Sequence, residues 1–312
     1  MMTGRGHALV DHAATVSGLF LPDRTRYFAA SVDSEPFAAQ LAAIEHDPVP
    51  VTEEGVHLVR ARTPVGDLDP AVMVAHWGRP DLPTLVLHHG NNERPFAFGR
   101  TAKNLLGKAM LVPEPPPANV LLVRAPFHGG TLRAYLRAMG ELERFVAMLA
   151  TSVAVMDRLV DQLRAAGCDR VVLAGLSLGG WAVNLHRAHR DTADVYLPIF
   201  AGAALAEVFL DSAYRRLTSR RALAEPEKLR TVLNFEERFA AVTTRNVFPL
   251  LARYDQYIAF DRQRPGYGDH PVAVVDKGHV TGGMDAAALR AHVLAHLSGE
   301  APVGPARRPF LV

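Results

Sequence analysis

The segment Gly175-Leu176-Ser177-Leu178-Gly179 places a glycine two positions on either side of a serine. A serine hydroxyl held out of a very tight turn can act as a covalent nucleophile, and such a turn leaves no room for side chains at those flanking positions. The chemistry indicated is acyl transfer through Ser177. A serine hydroxyl is a poor nucleophile at neutral pH, so a base must take its proton and an acid must hold that base in one tautomer. The five-residue pattern by itself also occurs in ordinary glycine turns. Here an apolar run, VVLAG, precedes it, and LGGWAVNLHRA follows it, so the period changes from strand-like to helix-like within two residues.

The elements around this turn follow from the same patterning. Residues 1–50 mix small apolar and charged residues, close on Pro48 and Pro50, and read as a helical N-terminal extension; residues 51–312 form the main domain. HLVRA, AVMVAHW and TLVLHHG read as strands. A helix is expected over 96–110, then a stiff loop in VPEPPPA and a strand in NVLLVRAP. Over 141–166 apolar residues recur at three- and four-residue steps, which predicts an amphipathic helix stopped at Gly167. VYLPIF, NVFPLLARY and HPVAVVD read as further strands, and 284–297 as a last helix. Short, almost wholly apolar runs separated by helices predict an α/β fold: a mainly parallel central sheet of about eight strands with helices on both faces. Residues 203–244 carry many charges, among them Arg215, Arg216, Arg220 and Arg221, and read as a helical cap insert. Its Phe209 and Tyr214, with Val208, Leu210 and Leu217, are suited to roofing an apolar pocket, so Phe209 and Tyr214 are expected to contact substrate.

In this context the elbow resembles the α/β-hydrolase superfamily, over about residues 56–298. The runs VVLAGLSLGGWAVNLHRA and VFLDSAYRRL are similar to the group within it named only as α/β-hydrolase domain-containing proteins, which implies no particular substrate. The resemblance implies the order serine, acid, histidine along the chain, and an oxyanion hole with one donor from the residue after the nucleophile, the backbone N–H of Leu178. It implies a second donor from a loop marked His-Gly. HHGNN fits that mark through His89 and Gly90, so the N–H of Asn91 is the candidate, with Asn92 as the neighbour that could replace it. The rings of His88 and His89 are expected to pack beneath the loop.

Downstream of Ser177, His279 lies in the glycine-flanked loop GHVTGG just past a strand, where open parallel sheets gather their ligands. His270 precedes a strand, and His292 and His296 fall within the last helix, so His279 is the expected base. His128, in the loop APFHGG, is a candidate for lining the pocket, with a structural role as the alternative. For the acid there are four candidates. Asp276 would have to fold back sharply to reach His279, and Asp261 and Asp269 lie in the Gly/Pro-rich FDRQRPGYGDHP. Asp255 leaves a buried strand after a single Tyr, so the sheet fixes its position, and it is the expected acid.

Bulk properties narrow the function further. Thirty-four Lys+Arg against 32 Asp+Glu leave a net charge of +2 with no basic runs, which argues against nucleic acid as a partner. The single cysteine, Cys168, cannot form an internal disulfide, and no His/Cys/carboxylate cluster has metal-ligand spacing, so neither metal nor cofactor is expected. Asp11 and His12 interrupt the only stretch that could serve as the apolar part of a signal peptide, and no run approaches the roughly 18 apolar residues of a membrane span. The expectation is a soluble, cytoplasmic serine hydrolase acting on a small-molecule carboxylic ester or thioester. The fold also hosts peptidases, acyltransferases, perhydrolases and lyases, and a non-catalytic scaffold that keeps the elbow is the alternative of a different class.

Overall fold

The computed structural model describes residues 2–16, 20–112 and 114–298. Its centre is an eight-stranded sheet made of β1 (Gly55–Leu58), β2 (Ala71–His76), β3 (Thr84–His88), β4 (Asn119–Arg124), β5 (Val171–Leu176), β6 (Val195–Ile199), β7 (Leu250–Ala252) and β8 (Ala273–Val275). The spatial order is β8-β7-β6-β5-β3-β4-β2-β1. β2 runs antiparallel to both β1 and β4, and every other pairing is parallel. A separate small sheet pairs Glu45–His46, Ala61–Thr63 and Gly66–Leu68.

The apolar runs are explained by which faces of the sheet are covered. All residues of β3, β5 and β6 are buried, as a strand sandwiched between helices requires. Alternate residues divide between the faces. Val86, Leu121 and Leu173 join the apolar cluster of the long helices, whereas Leu85, Leu87, Leu122, Val172 and Ala174 join a second cluster with Leu106, Met110, Leu289 and Val293. The helices that position the site are α1 (Gly4–Thr15), α2 (Leu105–Leu111), α3 (Leu142–Ala165), α4 (Leu178–His189), α5 (His279–Gly283) and α6 (Ala286–Leu294). α3 ends where expected, at Gly167 with φ of 90°. Among the described residues, no helix is long and apolar enough to cross a membrane.

Three expectations differ in detail from what is observed. The helix expected over 96–110 begins only at Leu105, because the Asn104 side chain donates to the Pro95 carbonyl (2.6 Å) and ties 95–104 into a loop. The strand in NVFPLLARY shortens to Leu250–Ala252 after Pro249, which has no N–H to give to a ladder. Among the described residues of 1–50, Gly4–Thr15 and Phe37–Ala42 form α-helices and Asp23–Thr25 a 3-10 turn. Between these, Tyr27 donates its N–H to Leu217 and Phe28 to Met139, lacing this part of the chain into the domain. The segment 203–244 is built of short helices, Ala206–Leu210, Arg220–Leu223, Pro226–Leu233 and Glu236–Ala240, with a 3-10 turn at Ala213–Leu217.

The chain continues from β3 to β4 on one side and later places β5 on the other, so β3 lies at the switch point of the sheet. In β3 and β5, His88 stands opposite Gly175. The HHGNN loop and the serine turn therefore leave the sheet side by side, in the crevice where parallel sheets bind ligands.

Candidate active site

Ser177 occupies the turn between β5 and α4 with φ of 53° and ψ of −109°, a conformation that L residues rarely adopt and that costs of order 1–3 kcal/mol. The surroundings enforce it. The Ser177 N–H donates to the Ile199 carbonyl (2.8 Å), and its own carbonyl accepts the N–H of Trp181 (3.0 Å). The flanking glycines are a packing requirement: a Cβ on Gly175 would meet Gly179 at 2.2 Å, and one on Gly179 would meet the His88 carbonyl oxygen at 2.3 Å.

The structure brings the three residues expected to form a triad into one hydrogen-bonded chain. His279 Nε2 lies 3.0 Å from Ser177 Oγ, and His279 Nδ1 lies 2.7 Å from Asp255 Oδ2. A carboxylate only accepts, so Nδ1 carries the hydrogen and Nε2 keeps the lone pair that faces the serine. The other Asp255 oxygen accepts the N–H groups of Tyr257 and Ile258, both at 2.8 Å. Asp276 is instead exposed in an ion pair with Arg253 (2.7 Å), and Asp261 lies on the short helix Phe260–Gln263. Of the other histidines, His292 bonds the Phe248 carbonyl (3.0 Å) and His296 stacks on the Phe248 ring at 4.3 Å.

A fourth residue enters from the N-terminal helix. Asp11, fully buried, accepts the N–H groups of His279 (2.8 Å) and Gln256 (3.1 Å) with one oxygen and of Val280 (2.9 Å) with the other. It thereby fastens the turn carrying His279 to the turn carrying Asp255. A Cβ at Gly278 would meet its carboxylate at 2.8 Å. Burial by itself pushes the His279 imidazole down, but the Asp255 carboxylate, aided by Asp11 and Glu93, more than offsets this and holds it above its ordinary range.

Leu178 is the first residue of α4, so its N–H points out of the helix beside Ser177. Asn91 lines both cavities that border Ser177. Its loop is shaped by its neighbours: His89 Nδ1 bonds the Gly90 carbonyl (2.7 Å), His89 Nε2 accepts the Ala125 N–H (3.0 Å), and Glu93 accepts the Gly90 N–H (3.2 Å). The Asn91 side chain donates to the hydroxyls of Tyr27 (2.9 Å) and Tyr214 (3.1 Å) and accepts from that of Tyr135. Asn92 takes the left-handed conformation the turn needs, with φ of 56°.

Burial pushes His88 and His128 down to about 4 and holds His89 well below its ordinary range, so all three are neutral near pH 7. His128 borders neither cavity at Ser177. Its ring packs against His89 (4.5 Å) and Tyr135 (4.9 Å), behind the Asn91 loop, so it supports the loop from outside the pocket. Phe209 and Tyr214, in contrast, border the same small cavity as Ser177. Two residues were not singled out by sequence reasoning for any role in the site: Asp11, visible only as a charge in an apolar stretch, and Glu93, buried, with its carboxyl raised by that burial.

No family model matches the chain, and no curated protein matches it in sequence. Among solved structures it is similar to the acylaminoacyl peptidase of Pyrococcus horikoshii, with a TM-score of 0.51 and 13% identity over 86% of this chain and 43% of that one. It is also similar to a prolyl endopeptidase, with a TM-score of 0.53 and 14% identity over 77% of this chain and 37% of that one. This chain thus spans less than half the length of either peptidase. At these identities the likeness is one of fold: the chain has the α/β-hydrolase fold.

Proposed function

We propose that the protein is a serine hydrolase that cleaves a carboxylic ester or thioester through an acyl-enzyme. The observation that carries this reading is the unbroken chain from Asp255 through His279 to Ser177, at 2.7 and 3.0 Å. Ser177 Oγ attacks the carbonyl carbon while His279 Nε2 takes its proton, and Asp255 stabilises the imidazolium that forms. The carbonyl oxygen becomes an oxyanion facing the N–H groups of Leu178 and Asn91, each donor worth about 2.7–4 kcal/mol in the transition state. His279 then gives the proton to the departing oxygen or sulfur, leaving Ser177 acylated. Water repeats the sequence with His279 as base, and the acid product leaves with the serine restored.

The short helices of 203–244 serve as the cap, since Val208, Phe209 and Tyr214 reach the cavity at Ser177. Steady-state turnover of a chromogenic ester by Ser177→Ala tests the reading: a loss on the order of 10⁴-fold or more is expected. Turnover at the wild-type level with a folded protein overturns it.

A further inference from the structure

Two cavities meet at Ser177, and they differ in size and walls. One, of about 40 Å³, runs under the short helices between Phe145, Trp181, Leu205, Phe209 and Ile258. The other, of about 420 Å³, opens between the HHGNN loop and the His279 turn, and Asn92, Glu93, Lys103 and Met284 stand in its walls. Ser177, Asn91, Tyr214 and Tyr257 border both; Leu178 borders only the small one, and His279 only the large one.

The chemistry assigns the two. The tetrahedral carbon attached to Ser177 carries an oxyanion, an acyl substituent and a leaving group. The oxyanion is directed at Leu178 and Asn91. The leaving atom must receive its proton from His279 Nε2, so the leaving group lies in the cavity that His279 borders. The acyl substituent takes the remaining direction, into the small cavity. We propose that the enzyme acts on esters of short acyl groups, of about two to four carbons, joined to a bulky leaving group, because the acyl side is a small aromatic-walled pocket of about 40 Å³ and the leaving-group side a cleft of about 420 Å³.

The size follows from the volume. About 10–15 Å³ of such space holds one water-sized group, so 40 Å³ holds about three. The walls do not yield easily. Phe209 is buried and packs at 4.8 Å on Phe28 and 5.4 Å on Phe145, so a longer chain has to displace a filled aromatic cluster.

This inference rests on the serine-hydrolase reading, and a pair of isomeric esters tests it separately. Octyl acetate and ethyl octanoate have the same composition but carry the long chain on opposite sides of the carbonyl. Octyl acetate is expected to give the larger kcat/KM by tenfold or more. Phe209→Leu, or Val208→Ala should that variant fail to fold, is expected to narrow the ratio by several-fold. Equal rates, a preference for ethyl octanoate, or a ratio unmoved in a folded variant overturns the assignment. A fluorophosphonate reports on the nucleophile independently. If Ser177 takes the label and neither ester is cleaved, the acyl pocket is wrong and the nucleophile stands; if Ser177 takes no label either, the hydrolase reading itself fails.

Discussion

Replacing Asp11 by Asn leaves a side chain of the same shape with one accepting oxygen in place of two. Three N–H groups, from His279, Val280 and Gln256, converge on the carboxylate, and the amide end would turn two of its own hydrogens toward one or more of them. At least one buried donor loses its partner, and hydrogen bonds to a charged group contribute about 1.5–3 kcal/mol each. A destabilisation of about 2–4 kcal/mol is expected on that basis. Turnover falls as well, because the freed turn lets His279 drift from its 3.0 Å contact with Ser177, and a misplacement of about 1 Å costs on the order of 10²-fold. The pH profile separates positioning from simple loss of stability. The negative groups facing His279 are Asp255, Asp11 and Glu93, and together they outweigh the burial that pushes the imidazole down. In the proposed mechanism His279 acts as a base in its neutral form, so activity is expected to be lost as pH falls through its pKa. Removing the Asp11 charge lowers that pKa and moves the acid limb of kcat/KM to lower pH. The assay is kcat/KM for a short acyl ester across about pH 5 to 9, beside thermal unfolding. An acid limb that stays in place with turnover near wild type would refute the clamp.

Three further outcomes are expected. Asp255→Asn lowers turnover by on the order of 10³- to 10⁴-fold by admitting the wrong imidazole tautomer, whereas Asp276→Asn, which breaks only an exposed ion pair with Arg253, changes it little; steady-state kinetics on both variants checks this. Glu93 has a carboxyl raised by burial, so the stability it contributes is fully present below its unfolded value near 4.5 and is lost as pH rises through its folded value. Glu93→Gln should therefore unfold at a higher temperature than wild type at about pH 8, with the advantage shrinking toward pH 5, and a melting series over that range reads it. His128→Asn leaves KM within about twofold while lowering the melting temperature, because the ring supports Tyr135 and His89 from behind the pocket; a raised KM would put His128 back at the substrate.

The serine turn was legible because its constraints are local. Gly175 and Gly179 are demanded by contacts within the turn and the adjacent strand, and the strand before it is apolar because both its faces are covered. The placement of Asp255 beside His279 was legible for a related reason, since a residue just past a buried strand has its position set by the sheet. Asp11 left no such trace. It lies 268 residues before His279, on a helix whose own pattern says only that one face is buried, and its role exists only once the fold has brought the two together. His128 was open between lining the pocket and a structural role, because a loop after a parallel strand suits either; its ring packs on His89. The over-long helix at 96–110 reflects the Asn104 to Pro95 bond, which lies outside any periodicity.

The central claim is that Ser177 is an activated nucleophile, and the most direct measurement is the site of covalent modification. Treatment with a fluorophosphonate, digestion and mass mapping should find a single adduct on the peptide carrying Ser177, formed in parallel with loss of esterase activity and greatly slowed in His279→Ala. An adduct on another residue, or an unmodified Ser177 in a protein that still cleaves esters, would contradict the account.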